Sequence, residues 1–348
     1  MDLSKKRILL TGGSGFLGQH VSDTLMNRGC RQGLLGETFG TILDNSHGSS
    51  RWATEASEFQ HEPAAYNLRS HNHDLTNGQV CKALALSLQP DVIIHLAALT
   101  GGIGANRVAP ADFFYQNLMM GIQLLHECWS AGATKFVGMG TICSYPRDTP
   151  VPFKESYIWN GYPEATNAPY GLAKKMLLVQ SQAYRSQHGF NAIHLMPTNL
   201  YGPCDNFDLD SSHVIPALIR KFVMARENDI PSVTVWGTGN ATREFLFVED
   251  AAEAIVRATE QYDEAEPLNI GSGDEISIKE LVTLIVELVE YDGLIVWDNS
   301  KPDGQPRRCL DTTKAQKYLG FQPQTSLRSG LVRTIQWFQQ HIYPNLSE

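Results

Sequence analysis

Tyr170 and Lys174 stand four residues apart in the run Asn167-Ala168-Pro169-Tyr170-Gly171-Leu172-Ala173-Lys174. On a helix that spacing puts them one turn apart on one face, so an ammonium can sit beside a phenol and favour its ionised form. A phenol with a free pKa of about 10 is a poor acid near neutral pH, but beside a fixed cation it becomes a usable proton donor or acceptor for a carbonyl or carbinol oxygen. Such a pair also occurs by chance on many helices. Its context is a glycine-rich turn that opens the chain and an upstream hydroxyl, Thr141, able to hydrogen-bond the same oxygen. Cys143 would point to the same side if the strand before it continues; a lone cysteine equally reads as a buried structural thiol.

These residues need elements to hold them. Residues 7–11 read as a short buried strand, and Gly12-Gly13-Ser14-Gly15-Phe16-Leu17-Gly18 then turns into a helix running to about Arg28. Glycines 12, 15 and 18 let the backbone approach a pyrophosphate at the helix N-terminus, where free N–H groups and the dipole favour an anion. Residues 31–63 show no sustained period and read as a surface insertion. Two segments compete for the strand whose end selects the cofactor. If it is 41–44, Asp44 accepts from a ribose diol and selects NAD; if it is 65–69, Arg69 pairs with a 2′-phosphate and selects NADP. The second is preferred, because it leads directly to Asp74-Leu75-Thr76, an adenine-side segment. A short helix over 78–88 and a strand over 90–98 follow. A paired glycine loop, Gly101-Gly102, then lies where ligands bind in open α/β sheets. A long helix to about Ala131 and a strand over 135–139 come next, the strand delivering Gly140-Thr141-Ile142-Cys143.

The chain has 348 residues, 42% of them hydrophobic, enough for a large and a small domain. A formal charge of −9 with no Lys/Arg run argues against nucleic-acid binding. No apolar run reaches the roughly 20 residues of a membrane span, and the first residues run into a strand rather than a signal peptide, so a cytoplasmic location is expected. Six cysteines with no CxxC pair point to neither a metal site nor a disulfide framework.

The segments GGIGANRVAPADFFYQN, CSYP, NAPYGLAKKM, MPTNLYGPCDNFD, SSHVIPALIRKF, VWGTGNATREFLFVED and KPDGQPRRCLD together resemble the extended short-chain dehydrogenase/reductase family and, within it, the GDP-L-fucose synthases. The resemblance implies a doubly wound parallel sheet (Rossmann) spanning 1–190, with 236–270 returning to it. A smaller nucleotide-sugar domain would be built mainly from 191–235 and 271–348. It implies NADP held by the glycine turn with Phe16 and Leu17, and by Arg69, Asp74, Leu75, Ala97, Gly140, Thr141, Tyr170, Lys174, Pro197, Asn199, Leu200 and His213. A GDP-sugar would meet Asn199, Lys221, Trp236, Arg243 and Asp303. Cys143 would act as base and His213 as acid in 3,5-epimerisation of GDP-4-keto-6-deoxy-D-mannose. Tyr170, Thr141 and Lys174 would serve the 4-reduction. Three departures from the family stand out: the insertion before Tyr66, Ser14 where bacterial members often have Arg, and Thr141 in place of the commoner Ser. A homodimer through helices near 117–131 and 170–187 is the family's usual mode, with Leu177, Leu178 and Ala183 on the expected seam. Two other readings stand beside this one: the same chemistry on another GDP-4-keto-deoxy sugar, as in colitose synthases, and a catalytically silent NADP-binding regulator. Against the regulator, all five catalytic positions keep a competent side chain.

Overall fold

Strands that lie in the middle of a parallel sheet are covered on both faces and read as unbroken apolar runs. Ile8–Thr11 (β1), Val92–His95 (β4) and Lys135–Met139 (β5) are of this kind, buried at every position. The computed structural model describes residues 1–30, 32–34, 65–68, 73–301 and 303–346. Within them β1, β4 and β5 form the centre of a seven-stranded sheet. Asn191–Pro197 (β6) and Leu268–Ile270 (β10) complete one side, Ala65–Leu68 (β3) and Gln32–Leu34 (β2) the other, in the order β10-β6-β5-β4-β1-β3-β2. Every pairing in it is parallel. This is the expected doubly wound sheet, and it places the ligand-binding edge at the carboxyl ends of its strands.

Helices cover both faces. Phe16–Asn27 (α1) packs on one face with Val248–Gln261 (α7) and Thr313–Leu319 (α9), joining Val21, Leu25, Ile255 and Ala315 to the strand residues Ile8, Ile94 and Val137. Gly78–Leu88 (α2), Pro110–Ser130 (α4) and Ala168–His188 (α5) cover the other through Leu84, Leu124 and Leu177, with the short helix Ile103–Val108 (α3) leading into α4. A third core lies beyond the sheet's carboxyl edge. Asn199–Tyr201 (β7), Thr242–Phe247 (β9) and Glu275–Ser277 (β11) form a small mixed sheet there, and Ser232–Trp236 (β8) pairs with Leu294–Asp298 (β12). Val214–Glu227 (α6), Ile278–Val289 (α8) and Leu327–His341 (α10) close that core around Phe222, Ile285 and Phe338. The start of α8 is fixed by a capping box between Ser277 and Glu280.

Three expectations give way. The large sheet does not end at residue 190, because β6 lies inside it, paired with β5 along its length. Residues 236–247 do not return to it: β9 pairs with β7 and β11, and the return begins with α7 at Val248. A motif-based boundary cannot see pairing partners, and β6, buried from Ala192 to Met196, has the apolar run of a central strand. On α5, Leu177 and Leu178 belong to the protein's own cores rather than to an exposed seam. Ala183 is exposed.

Of the two segments offered for the cofactor-selecting strand, Ala65–Leu68 adjoins β1, with Ile8 opposite Ala65 and Thr11 opposite Leu68. Asp44 and Arg69 lie outside the described residues. No helix among the described residues is long and apolar enough to cross a membrane.

Candidate active site

At the end of β1 the chain turns through Gly12, whose φ of +71° suits glycine and where an added Cβ would lie 2.7 Å from the backbone nitrogen of Ala97. Gly18 must likewise lack a side chain, since its Cβ would run into the Gly12 carbonyl. The helix that follows is capped by Gly15 with no side-chain hydrogen bond, which leaves its first N–H groups open to an anion. The cradle therefore fits a dinucleotide pyrophosphate. Around it, Ala97 donates its N–H to the Thr11 hydroxyl at 3.3 Å, and Gly140 donates its own to the Leu195 carbonyl at 2.7 Å. Phe16 is half-buried, and Leu17 and Leu200 pack against the first core. Asp74 folds back on the Thr76 N–H (2.9 Å) and hydroxyl (2.6 Å), and Leu75 is a core residue, so only its backbone is available to a ligand. Pro197 ends β6, and Asn199 donates its amide to the Glu244 carbonyl at 2.9 Å.

Thr141, Cys143 and Tyr170 meet at the end of β5, though not by strand alternation. The strand stops at Met139; Thr141 caps a 3-10 turn over Ile142–Ser144 and accepts the Cys143 N–H at 3.2 Å. That turn abuts α5. Gly171, next to Tyr170, has so little room that a Cβ there would sit 2.5 Å from the Cys143 carbonyl oxygen, and the Ser144 hydroxyl donates to the Gly171 carbonyl at 2.8 Å. The Phe113 ring meets Tyr170 edge-on, centroids 6.1 Å apart. Gly171→Ala is expected to destabilise the fold by about 1–3 kcal/mol through overpacking and to displace the Cys143 turn. An unchanged urea midpoint would show that the turn yields freely.

Electrostatics at Tyr170 depart from the simplest expectation. Burial raises the phenol's pKa, a thiolate at Cys143 would add to the rise, and the adjacent Thr141 hydroxyl opposes it. Lys174 lies one turn along α5, buried, with its pKa lowered to about 8 by desolvation. Its charge is felt by two histidines below the site. Burial first, then Lys174, hold His95 and His194 each at about 3. The His95 Nδ1 shares a 2.8 Å hydrogen bond with the Thr11 hydroxyl.

Both histidines are therefore neutral when folded and accept protons on unfolding. Between their ordinary 6.5 and the folded value of about 3, the unfolded chain binds protons that the folded one refuses, so stability falls as pH falls. Each should contribute about 1.4 kcal/mol per pH unit to this slope. Urea unfolding at pH 7 and pH 5 measures it. His194→Gln should remove one histidine's share, and a variant with the parent's slope would contradict the assignment.

His213 stands at the N-cap of α6 and makes no capping hydrogen bond. Its side chain is accessible to solvent, yet surrounding protein lowers its basicity through desolvation. His213 is thus a solvent-facing residue rather than a core position. The glycine loop connects it to the rest of the site, since Gly102 donates to the Ser211 carbonyl at 3.1 Å and a Cβ on Gly101 would lie 3.3 Å from the Phe113 ring.

The expected substrate residues group on the far side. Lys221 and Lys301 lie over the face of Trp236, 5.8 and 5.3 Å from its centroid, and Trp236 is 59% exposed. Arg243 donates to the Asp303 carbonyl at 3.0 Å. Burial lowers Arg243 to about 10, with Arg308 as the next cause, and it remains charged near neutrality. The Asp303 carboxylate is engaged by the Thr238 N–H and hydroxyl, both at 2.7 Å. Sequence reasoning assigned no role to Arg308, whose guanidinium reaches the Cys143 sulfur at 3.4 Å, nor to His95, His194 and Gly171.

The profile of the NAD dependent epimerase/dehydratase family matches residues 8–271. The chain belongs to that family. A GDP-L-fucose synthase from Sinorhizobium fredii is 43% identical over 272 residues, covering 78% of this chain and 86% of its own length. A probable GDP-L-fucose synthase from Oryza sativa subsp. japonica is 42% identical over 277 residues, covering 79% and 84%. Among solved structures, a GDP-L-fucose synthetase from Naegleria fowleri bound to NADP superposes with a TM-score of 0.79 at 26% identity, covering 97% of this chain and 95% of that one.

Proposed function

We propose that this member of the epimerase/dehydratase family is an NADP-dependent enzyme that epimerises GDP-4-keto-6-deoxy-D-mannose at carbons 3 and 5 and reduces it at carbon 4 to GDP-L-fucose. The observation that carries the reading is the position of Cys143. Its turn packs on Gly171 beside Tyr170, the group suited to a carbonyl oxygen, and its sulfur lies 3.4 Å from the guanidinium of Arg308, on the strap that also carries Asp303 beside Arg243, a guanidinium suited to a sugar nucleotide's diphosphate.

A ketone at carbon 4 acidifies the hydrogens at carbons 3 and 5. Cys143 removes one of them and His213, from the opposite wall, returns a proton on the other face. Tyr170 and Thr141 donate to the ketone oxygen and stabilise the enolate. NADPH, when bound, supplies the hydride for carbon 4. Tyr170 then gives its proton to the oxygen. Gly12, Gly15 and Gly18 hold the pyrophosphate, Lys174 the nicotinamide ribose, and Arg69 the 2′-phosphate. Trp236 and Lys221 take the guanine, and Arg243 the diphosphate.

Incubating the protein with NADPH and the keto sugar should consume NADPH absorbance and yield GDP-L-fucose, with NADH used more slowly. Faster turnover of a different GDP-4-keto-deoxy sugar would reassign the substrate, and no consumption with any of them would leave a dinucleotide-binding regulator. We also propose a homodimer through α4 and α5, whose exposed apolar residues include Phe114, Tyr115, Met176 and Val179. Sedimentation as a monomer at micromolar concentration would overturn the dimer.

A further inference from the structure

We infer that Arg308 is a positioning residue for Cys143: its guanidinium receives the thiolate when it forms and fixes where that charge sits in the cleft. The inference rests on the proposed function for its meaning but not for its test. Arg308 is buried, and its guanidinium donates through Nη1 to the Cys143 sulfur at 3.4 Å and through Nε to the Gln305 side-chain oxygen at 2.7 Å. Gln305, also buried, is itself anchored by donating to the Arg147 carbonyl at 2.6 Å. Among the described residues no carboxylate forms an ion pair with Arg308; those pairs fall elsewhere, including one from its neighbour Arg307 to Glu275. A buried cation needs a compensating charge, and here the group within reach that can carry one is the sulfur.

The backbone around Arg308 is fixed by two residues. Glu244, fully buried, accepts the Leu310 N–H at 2.8 Å and the Gly273 N–H at 2.8 Å. Phe153 donates to the Cys309 carbonyl at 2.8 Å and accepts from the Asp311 N–H at 2.9 Å. This strap runs from the nucleotide-sugar side, at Asp303, to the catalytic turn, at Cys143. Arg308 and Arg243 also repel one another, and a negative sulfur relieves Arg243 as well. In the epimerisation the C–H bond breaks as an S–H bond forms, and the electron pair passes into the enolate. The negative charge thereby leaves the sulfur, so the guanidinium that favours the anion before the step governs how often the base is ready for it.

Alkylation by iodoacetamide reads this directly in the free protein. The thiolate displaces iodide and forms a C–S bond, and mass spectrometry of the peptide reports on Cys143 alone, with the other partly accessible thiol, Cys204, as internal control. Arg308→Gln should slow labelling of Cys143 at pH 7 by about tenfold and approach the parent rate at pH 10, where hydroxide ionises the thiol without help. Arg308→Lys, which keeps the charge, should stay within about threefold of the parent at pH 7. Three results would overturn the inference: a parent-like rate for Arg308→Gln at pH 7, a deficit equal at both pH values, or an Arg308→Lys as slow as Arg308→Gln. Because labelling needs no sugar, a failed assay with GDP-4-keto-6-deoxy-D-mannose leaves this outcome untouched, and the reverse also holds.

Discussion

Cys143→Ser is expected to reduce solvent-deuterium incorporation into the keto sugar by roughly 10²–10⁴, the effect of losing a general base. A serine hydroxyl occupies nearly the same space, so the turn capped by Thr141 and packed on Gly171 should persist, with its hydrogen bond and close contact intact. What changes is the acidity. An alcohol is almost never ionised near pH 7, whereas a thiol is by its chemistry a far stronger acid, and here it lies 3.4 Å from the Arg308 guanidinium. The measurement is the mass increase of the sugar in heavy water without NADPH, so that reduction cannot drain the exchanged species. NADPH binding, proposed to use the glycine turn, should be unaffected. Undiminished deuterium uptake would remove Cys143 from proton transfer and return it to a packing role.

The parts of this site that were legible in the sequence are those fixed by local rules. The Gly12, Gly15 and Gly18 turn announces itself as a tight strand-to-helix turn from the strand before it and the helix after it, and in the fold Gly12 has a φ of +71° and Gly18 no room for a Cβ. The helical spacing of Tyr170 and Lys174 survives in α5. Apolar runs located β1, β4 and β5 because parallel strands buried on both faces have no polar alternation to confuse them. What sequence could not supply is pairing across long separations. Arg308 lies in the run Pro306-Arg307-Arg308-Cys309, where nothing local distinguishes it from Arg307, although one guanidinium turns in to Cys143 and the other pairs outward with Glu275. His95 and His194 looked like ordinary strand residues until β4 and β5–β6 pairing brought both beneath Lys174. The Lys174 effect on Tyr170 was the natural inference from spacing. In the folded protein burial holds the phenol protonated, and Thr141 is the neighbour that eases it.

That protonated phenol sets the expectation for Tyr170→Phe: NADPH oxidation should fall by roughly 10²–10⁴, while deuterium exchange into the sugar falls less. Phenylalanine keeps the edge-on contact with Phe113 and the packing beside Gly171, so the change removes one O–H and little else. Reduction needs that O–H as its acid, because an aliphatic hydroxyl such as that of Thr141 is a much weaker acid than a phenol and can share the oxygen without giving up its proton. Exchange needs it only to stabilise an enolate, and Thr141 remains as a second donor to the same oxygen. Burial is the main cause that raises the phenol's pKa, so Tyr170 enters the reduction with its proton in place. The two rates measured side by side on one variant decide the matter. Equal losses in both, or a larger loss in exchange, would make Tyr170 primarily an enolate donor and leave the proton for carbon 4's oxygen to another group.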